Sequence, residues 1–347
     1  MTDFRRSFIL AVVREHKKNI TIAALCAFAA GLTVLHAEAQ SGNGPPQAAA
    51  ASEQLLVARS KQQAGEYNAA RHILLDALLE APHSALLLNQ LGSVQQDLGD
   101  YREAERSYLL ALSAPAQTEG APERLVILNN LGALYLETGQ YAKGEAVREQ
   151  LEKLPPEILE GHPVPAATLL NTMGSLDHAR NRDDRAEAYY ARSLQLLHRA
   201  EGPASANAAL VESNLAFLRL ESGRYEGAVE LFRHSIFQIE TVLGSENPAL
   251  VRPLVNLARC ENMSGHPNEA EPVARRAVEL SVKVLGERHP VTATAMLEQA
   301  TALRRLRRKG PARDLEKRAA ACLRNSSTRN LTGYTVSLRD LGAPAKP

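Results

Sequence analysis

Six asparagines stand at two fixed offsets from a recurring small residue. Asn89, Asn129 and Asn171 lie three residues before Gly92, Gly132 and Gly174; Asn130, Asn214 and Asn256 lie two before Gly132, Ala216 and Ala258. A carboxamide both donates and accepts hydrogen bonds, which is what an extended main chain offers in return. Inside a helix Asn is disfavoured by roughly 0.5 kcal/mol relative to Ala, so its recurrence calls for a use. Two uses are open: a ladder that holds the backbone of a bound peptide, or ties that join one helical unit to the next. Arg252 and Arg259 flank Asn256 on the same helical run and could pair with a carboxylate. A second cluster, Arg304, Arg305, Arg307, Arg308, Lys309, Arg313, Lys317 and Arg318, reads either as a contact surface for anionic lipid, polysaccharide or an acidic partner, or as the polar outer face of a terminal unit.

Other chemistry finds no footing. The ten histidines include no H-E-x-x-H pair and no Cys/His cluster at metal spacing, and there is no G-x-S-x-G elbow, phosphate loop or dinucleotide fingerprint. His162 and His289 precede prolines in loops, and Asp183-Asp184 reads as a solvated pair in a turn. Cys260 and Cys322 sit on apolar helical runs as small buried hydrophobes. The expectation is therefore no enzyme activity, no cofactor and no metal. A formal charge of +1 speaks against a globally basic nucleic-acid binder, and 45% apolar residues against a disordered chain.

The elements that must carry these residues come from internal repetition. Ser213 to Pro290 states one unit twice: Asn214 recurs as Asn256, Ala216 as Ala258, Gly223 as Gly265 and Ala228 as Ala270, each 42 residues on. A fixed period of this size marks stacked repeats. Ala216 and Ala228 are 12 apart, on either side of Gly223. Two antiparallel helices approach closely where both carry a small side chain at the crossing. The same pairing gives Ala58/Ala70, Gly92/Ala104, Gly132/Gly144, Gly174/Ala186, Ala258/Ala270 and Ala300/Ala312, with steps of 34, 40, 42, 42, 42 and 42. Seven helical hairpins are expected, the seventh from Val291 to Leu323 and broken at Gly310-Pro311.

Leu91-Gly92, Gly99-x-Tyr101, Ala104, Tyr108 and Ala111 resemble the tetratricopeptide repeat, as do Leu131-Gly132, Tyr135, Gly139-x-Tyr141 and Pro156. The 42-residue spacing, the N-L-A openings and the L-G-x-x-x-P closings are similar to the kinesin-light-chain type of this repeat. Three departures stand out. Leu88, Leu128, Leu170 and Leu254 replace the family's Trp; Asn181 and Asp183 replace Gly and Tyr in the fourth hairpin; the seventh lacks the N-L-A opening and reads as an end cap. The resemblance implies an all-α, right-handed superhelical solenoid of about seven antiparallel hairpins, serving as a protein-interaction scaffold. It also implies that the first-helix positions of Asn89, Asn129, Asn130, Asn171, Asn214 and Asn256 face a concave groove, with Arg252 and Arg259 beside them, where an extended peptide would lie. The Lys/Asn set of the family's chaperone-tail clamp is not reproduced, so that ligand is not implied.

Around the repeats at 52–323 the chain changes character. In residues 1–39, Arg5, Arg6, Arg14, Lys17 and Lys18 precede an uncharged run from Ile20 to Leu35, and Ala37-Glu38-Ala39 follows. That is the layout of a signal peptide cleaved after Ala39, or of an uncleaved anchor. Either way the repeats face outward, in the periplasm or secreted, since the basic flank stays in the cytoplasm. Residues 40–51 read as a Gly/Pro/Ala linker. The tail, 324–347, is polar but alternates at Tyr334 to Leu338 as a strand would, and could dock back on the last hairpins. The partner is expected to be a protein or peptide, with no nucleic acid and with membrane contact through the leader alone. The alternative is an accessory module of an envelope polysaccharide or secretion machine that uses the basic C-terminal end.

Overall fold

At seven points the backbone turns left-handed, with φ between 58° and 85°: Gly65, Gly99, Gly139, Asn181, Gly223, Gly265 and Arg307. These residues follow one another at steps of 34, 40, 42, 42, 42 and 42, each seven residues after the first member of a small-residue pair. At every one, the next amide N–H donates to the carbonyl five residues back, from Glu66 to Lys61 through Arg308 to Leu303, at 2.8–2.9 Å. This is the Schellman closure, which satisfies carbonyls left over at a helix end and needs one residue with positive φ. Gly takes that conformation without steric cost and Asn tolerates it. The fourth hairpin, irregular in sequence, is therefore regular in backbone.

The computed structural model describes residues 46–114, 122–202 and 205–326. Among them there are fifteen α-helices and no strand. The leader at 1–39 and the alternating tail at 334–338 lie outside the described residues. The contacts divide the chain into two units between Tyr189 and Tyr190. In the first, α1 (Pro46–Gln63) pairs with α2 (Tyr67–Glu80), and α3 (Ala85–Asp97) with α4 (Tyr101–Ser113). Next come α5 (Pro122–Glu137) with α6 (Gly144–Glu152), the short α7 (Pro156–Gly161), and α8 (Pro163–Ala179) with the start of α9 (Asp183–Glu201). In the second unit the end of α9 is followed by α10 (Ala206–Glu221) with α11 (Tyr225–Leu243), α12 (Val251–Ser264) with α13 (Pro267–Leu285), and α14 (Pro290–Arg305) with α15 (Lys309–Ser326). Helix α1 begins inside the stretch expected as a linker.

The seventh hairpin corrects one expectation. Its turn is at Arg307, and Gly310-Pro311 lies in the first turn of α15 without breaking it. There the missing N–H of proline has no intrahelical acceptor to lose. In the second unit Gly202, Gly244 and Gly286, 42 apart and also at positive φ, end the second helices. Ser205, Asn247 and His289 then cap the next segments, accepting from the amides of Ala208, Ala249 and Val291 at 3.0, 2.9 and 3.2 Å. His289 thus has a structural use as a cap.

The small-residue pairs are buried throughout, but what fills the space differs from pair to pair. A Cβ on Gly92 would lie 2.7 Å from the ring of Tyr108 on α4. On Gly132 it would meet Thr172 of α8 at 2.8 Å, and on Gly144 it would meet Leu176 at 2.9 Å. These glycines clear room for a facing side chain, in two cases from the next hairpin. Leu128, Leu170 and Leu254, which stand where the family has Trp, are core residues. Cys260 and Cys322 join Phe232, Ile236, Leu254 and Met296 in the core of the second unit. Burial pushes the Cys260 thiol up to about 12 and the Cys322 thiol upward as well. Both are packing residues rather than nucleophiles.

Candidate interaction site

In the first unit the asparagines face their neighbours. Asn130 on α5 donates through Nδ2 to Oδ1 of Asn89 on α3, 2.9 Å away. Thr172 on α8 donates to Oδ1 of Asn129 at 2.6 Å. Asn129 and Asn171, at 1% and 0% exposure, are inside the packing, which leaves neither open to a ligand. The amides here join hairpins, the second of the two uses open from the sequence. Other side chains join hairpins in the same way. Arg59 donates to Gln90 at 2.9 Å, Gln62 to Ser93 and Asp97 at 3.0 and 2.6 Å, and Gln96 to Glu137 at 2.6 Å. Gln90 and Thr172 occupy the same repeat position as Asn130. That coincidence was the available signal, and it is missed when only asparagines are counted. Glu137 also accepts from Tyr101 at 3.0 Å. Burial pushes the Glu137 carboxyl upward, and burial together with that carboxylate pushes the Tyr101 phenol up to about 12.

The second unit is arranged differently. Asn214 on α10 is buried, whereas Arg252, Asn256 and Arg259 are half-buried on α12. Their spacing of four and three residues puts them on one stripe. Arg259 lies 3.5 Å from the carboxylate of Glu221 on α10. Burial lowers the Arg252 guanidinium from its ordinary value. On α14, Glu298 accepts from Asn262 through both its backbone carbonyl and its carboxylate, each at 3.0 Å. Arg305 donates to the backbone carbonyl of Asn262. Burial pushes the Glu298 carboxyl upward, opposed by that hydrogen bond and by the charges of Arg259 and Arg305.

Asn256 has no side-chain hydrogen bond among the described residues and is half-buried, whereas the Nδ2 of Asn129, also without a partner, is enclosed in the packing. A half-buried amide between two guanidinium groups can hold a peptide main chain and a carboxylate together. The arrangement offers no nucleophile beside a base. Among the described residues there is no group of three or more His, Cys, Asp or Glu placed to hold a metal, and no helix long and apolar enough to cross a membrane. Asp183 opens α9 and meets His178 Nδ1 at 2.8 Å, so it is half-engaged rather than simply solvated.

Comparison with known proteins bears on the hairpins directly. The tetratricopeptide repeat model matches residues 83–149, 165–236, 207–281 and 253–325. The quorum sensor NprR from B. thuringiensis, in its apo form, is similar over 93% of this chain and 94% of its own, at 14% identity and a TM-score of 0.60. A putative kinesin light chain from Podosopora anserina, with nearly identical TPR-like repeats, covers 60% of this chain and 99% of its own, at 20% identity and a TM-score of 0.49. In sequence, a clustered mitochondria protein homolog from Ajellomyces capsulatus is 26% identical over 135 residues, 39% of this chain. The match spans only 11% of that relative's length.

Proposed function

From the premise that this chain belongs to the tetratricopeptide repeat family, we propose that it is an exported scaffold that holds an extended segment of a partner protein against the first helices of its hairpins. The observation that carries this reading is the unengaged amide of Asn256, set between Arg252 and Arg259 on one stripe of α12. Asn89, Asn129 and Asn130 of the first unit are spent on ties between hairpins and Asn171 is enclosed in the packing, so the contact is assigned to the second unit. A partner carboxylate would take the place of Glu221 beside Arg259, and the partner's main chain would satisfy Asn256. Export rests on the leader: a basic flank, an uncharged run from Ile20 to Leu35, and Ala37-Glu38-Ala39. N-terminal sequencing of the mature protein should then begin at Gln40.

The test is capture of partners with the fragment beginning at Gln40, identified by mass spectrometry and then titrated. Leaving partner groups unpaired costs about 1–3 kcal/mol each, so Asn256→Ala with Arg259→Ala should weaken binding by about tenfold or more. Asn130→Ala, which breaks the tie to Asn89, should lower stability and leave affinity unchanged. If both variants bind as the wild type does, α12 is not the contact.

A further inference from the structure

The last hairpin gathers exposed cations as no earlier one does. Elsewhere some lie beside acids, as Lys61 does by Glu66, Lys143 by Glu105 and Lys283 by Glu246, and those without an acid, Arg102, Lys153, Arg192, Arg199 and Arg288, are scattered along the chain. Arg304 and Arg318 are paired, with Glu316 and Glu287. Arg307, Arg308, Lys309, Arg313 and Lys317 are not. All five are exposed, and none has an acidic partner among the described residues. Lys309, Arg313 and Lys317 are four apart and so line one face of α15 over about 12 Å, with Arg307 and Arg308 at one end. Of the acids on this helix, Glu316 is engaged by Arg304, and the exposed Asp314 borders the stripe about 60° round the axis from Lys317 without an ion pair to it.

A terminal hairpin needs a polar outer face, but Glu, Gln or Ser meets that need as well as Lys does. Nothing in capping requires a single sign of charge. Arg307 adds to the point, because it holds φ 61° at the position where five of the other six turns have Gly. We propose that this stripe is the surface by which the protein rests on an anionic lipid bilayer, one of the contacts the sequence left open for this cluster. What the surface lacks selects the partner. Among the described residues C-terminal to Met263 no large apolar side chain is exposed, so the stripe has no anchor of the kind on which protein hot spots are centred. No Phe, Tyr or Trp occurs between Phe237 and Tyr334, so there is no platform on which single-stranded bases could stack. A head-group layer needs neither, because each Lys or Arg near it adds its own attraction.

The test follows the reductive methylation of Lys309 and Lys317 in the full chain by mass mapping. The probes are vesicles of phosphatidylglycerol mixed equally with phosphatidylcholine, and vesicles of phosphatidylcholine alone. Reading the two lysines themselves keeps the leader's own basic residues out of the result. Both should be shielded several-fold by the anionic vesicles at low salt, unshielded by the neutral ones, and released at high salt, where screening shortens the reach of the charges. Arg307→Gly with Arg313→Gln should need about 30-fold more lipid for the same shielding, with a melting temperature no lower than wild type to show that it folds. Absent shielding at low salt, equal shielding by neutral vesicles, or an unchanged lipid requirement in the variant would overturn the proposal. So would stronger shielding by poly-L-glutamate or a short DNA duplex than by the vesicles, which would assign the stripe to a soluble polyanion.

Discussion

His289 is held neutral by its surroundings. Its Nδ1 accepts from the Val291 amide at 3.2 Å, and burial together with the charge of Arg252 lowers its pKa from 6.5 to about 4. Between those values the unfolded chain takes up a proton that the folded chain refuses, so stability rises with pH across this window. The contribution is complete above about pH 6.5 and is lost as pH falls toward 4. Asn247 caps the equivalent position one repeat earlier, so His289→Asn should keep the cap and flatten this part of the slope. Denaturant midpoints from pH 7 to 4.5 for the two proteins measure it; parallel curves would show that His289 does not titrate this way. The asparagines illustrate how far single residues can be read. Their recurrence was visible in the sequence, but which of them is spent depends on the facing residue 41 or 43 positions away, as for Asn130 with Asn89 and Thr172 with Asn129. Nothing local to Asn256 separates it from Asn214; the difference is burial, which only packing decides.

At the scale of helices, the crossings give the sharpest expectation. Ala228 is fully buried among Ala216, Phe232 and their neighbours, so Ala228→Leu should overpack the site and cost about 1–3 kcal/mol. Gly92→Ala should cost a similar amount, because the Tyr108 ring it would displace is itself buried and donates to Gln96 at 3.0 Å. The exposed Glu226→Ala should change stability by under about 0.5 kcal/mol. Urea denaturation compares the three, and equal effects would mean that the register is wrong. That register was legible because a helix, a turn and a returning helix are all local: small residues 12 apart and a turn seven residues in leave their mark within one repeat. The occupant of the space beside Gly132 was not legible, since Thr172 belongs to the next hairpin. Nor was the last turn, where Gly310-Pro311 is the stronger punctuation but Arg307 holds the left-handed backbone.

On the scale of the molecule, the hairpins within each unit bury their apolar surfaces against near neighbours in sequence. In such arrays stability is approximately a sum over units and adjacent interfaces. Phe232, fully buried in the second unit, is a suitable probe: Phe232→Ala should cost about 3–5 kcal/mol. Amide exchange should then quicken in α10 to α13 and stay unchanged in α1 to α4. A uniform loss of protection along the chain would instead mean one cooperative unit. The repeated Schellman closures carry a consequence for how such a chain can change its length. Gly223 and Gly265 have the same hand of turn, the same amide-to-carbonyl clasp and the same distance to the small residue before them. They are therefore equivalent joints. An in-frame crossover that connects Gly223 to His266 removes 42 residues and restores the joint it cuts, with Ala216 now 12 residues before the former Ala270. Genetic recombination at these joints would lengthen or shorten the protein in whole cassettes, leaving no mismatched end to repair.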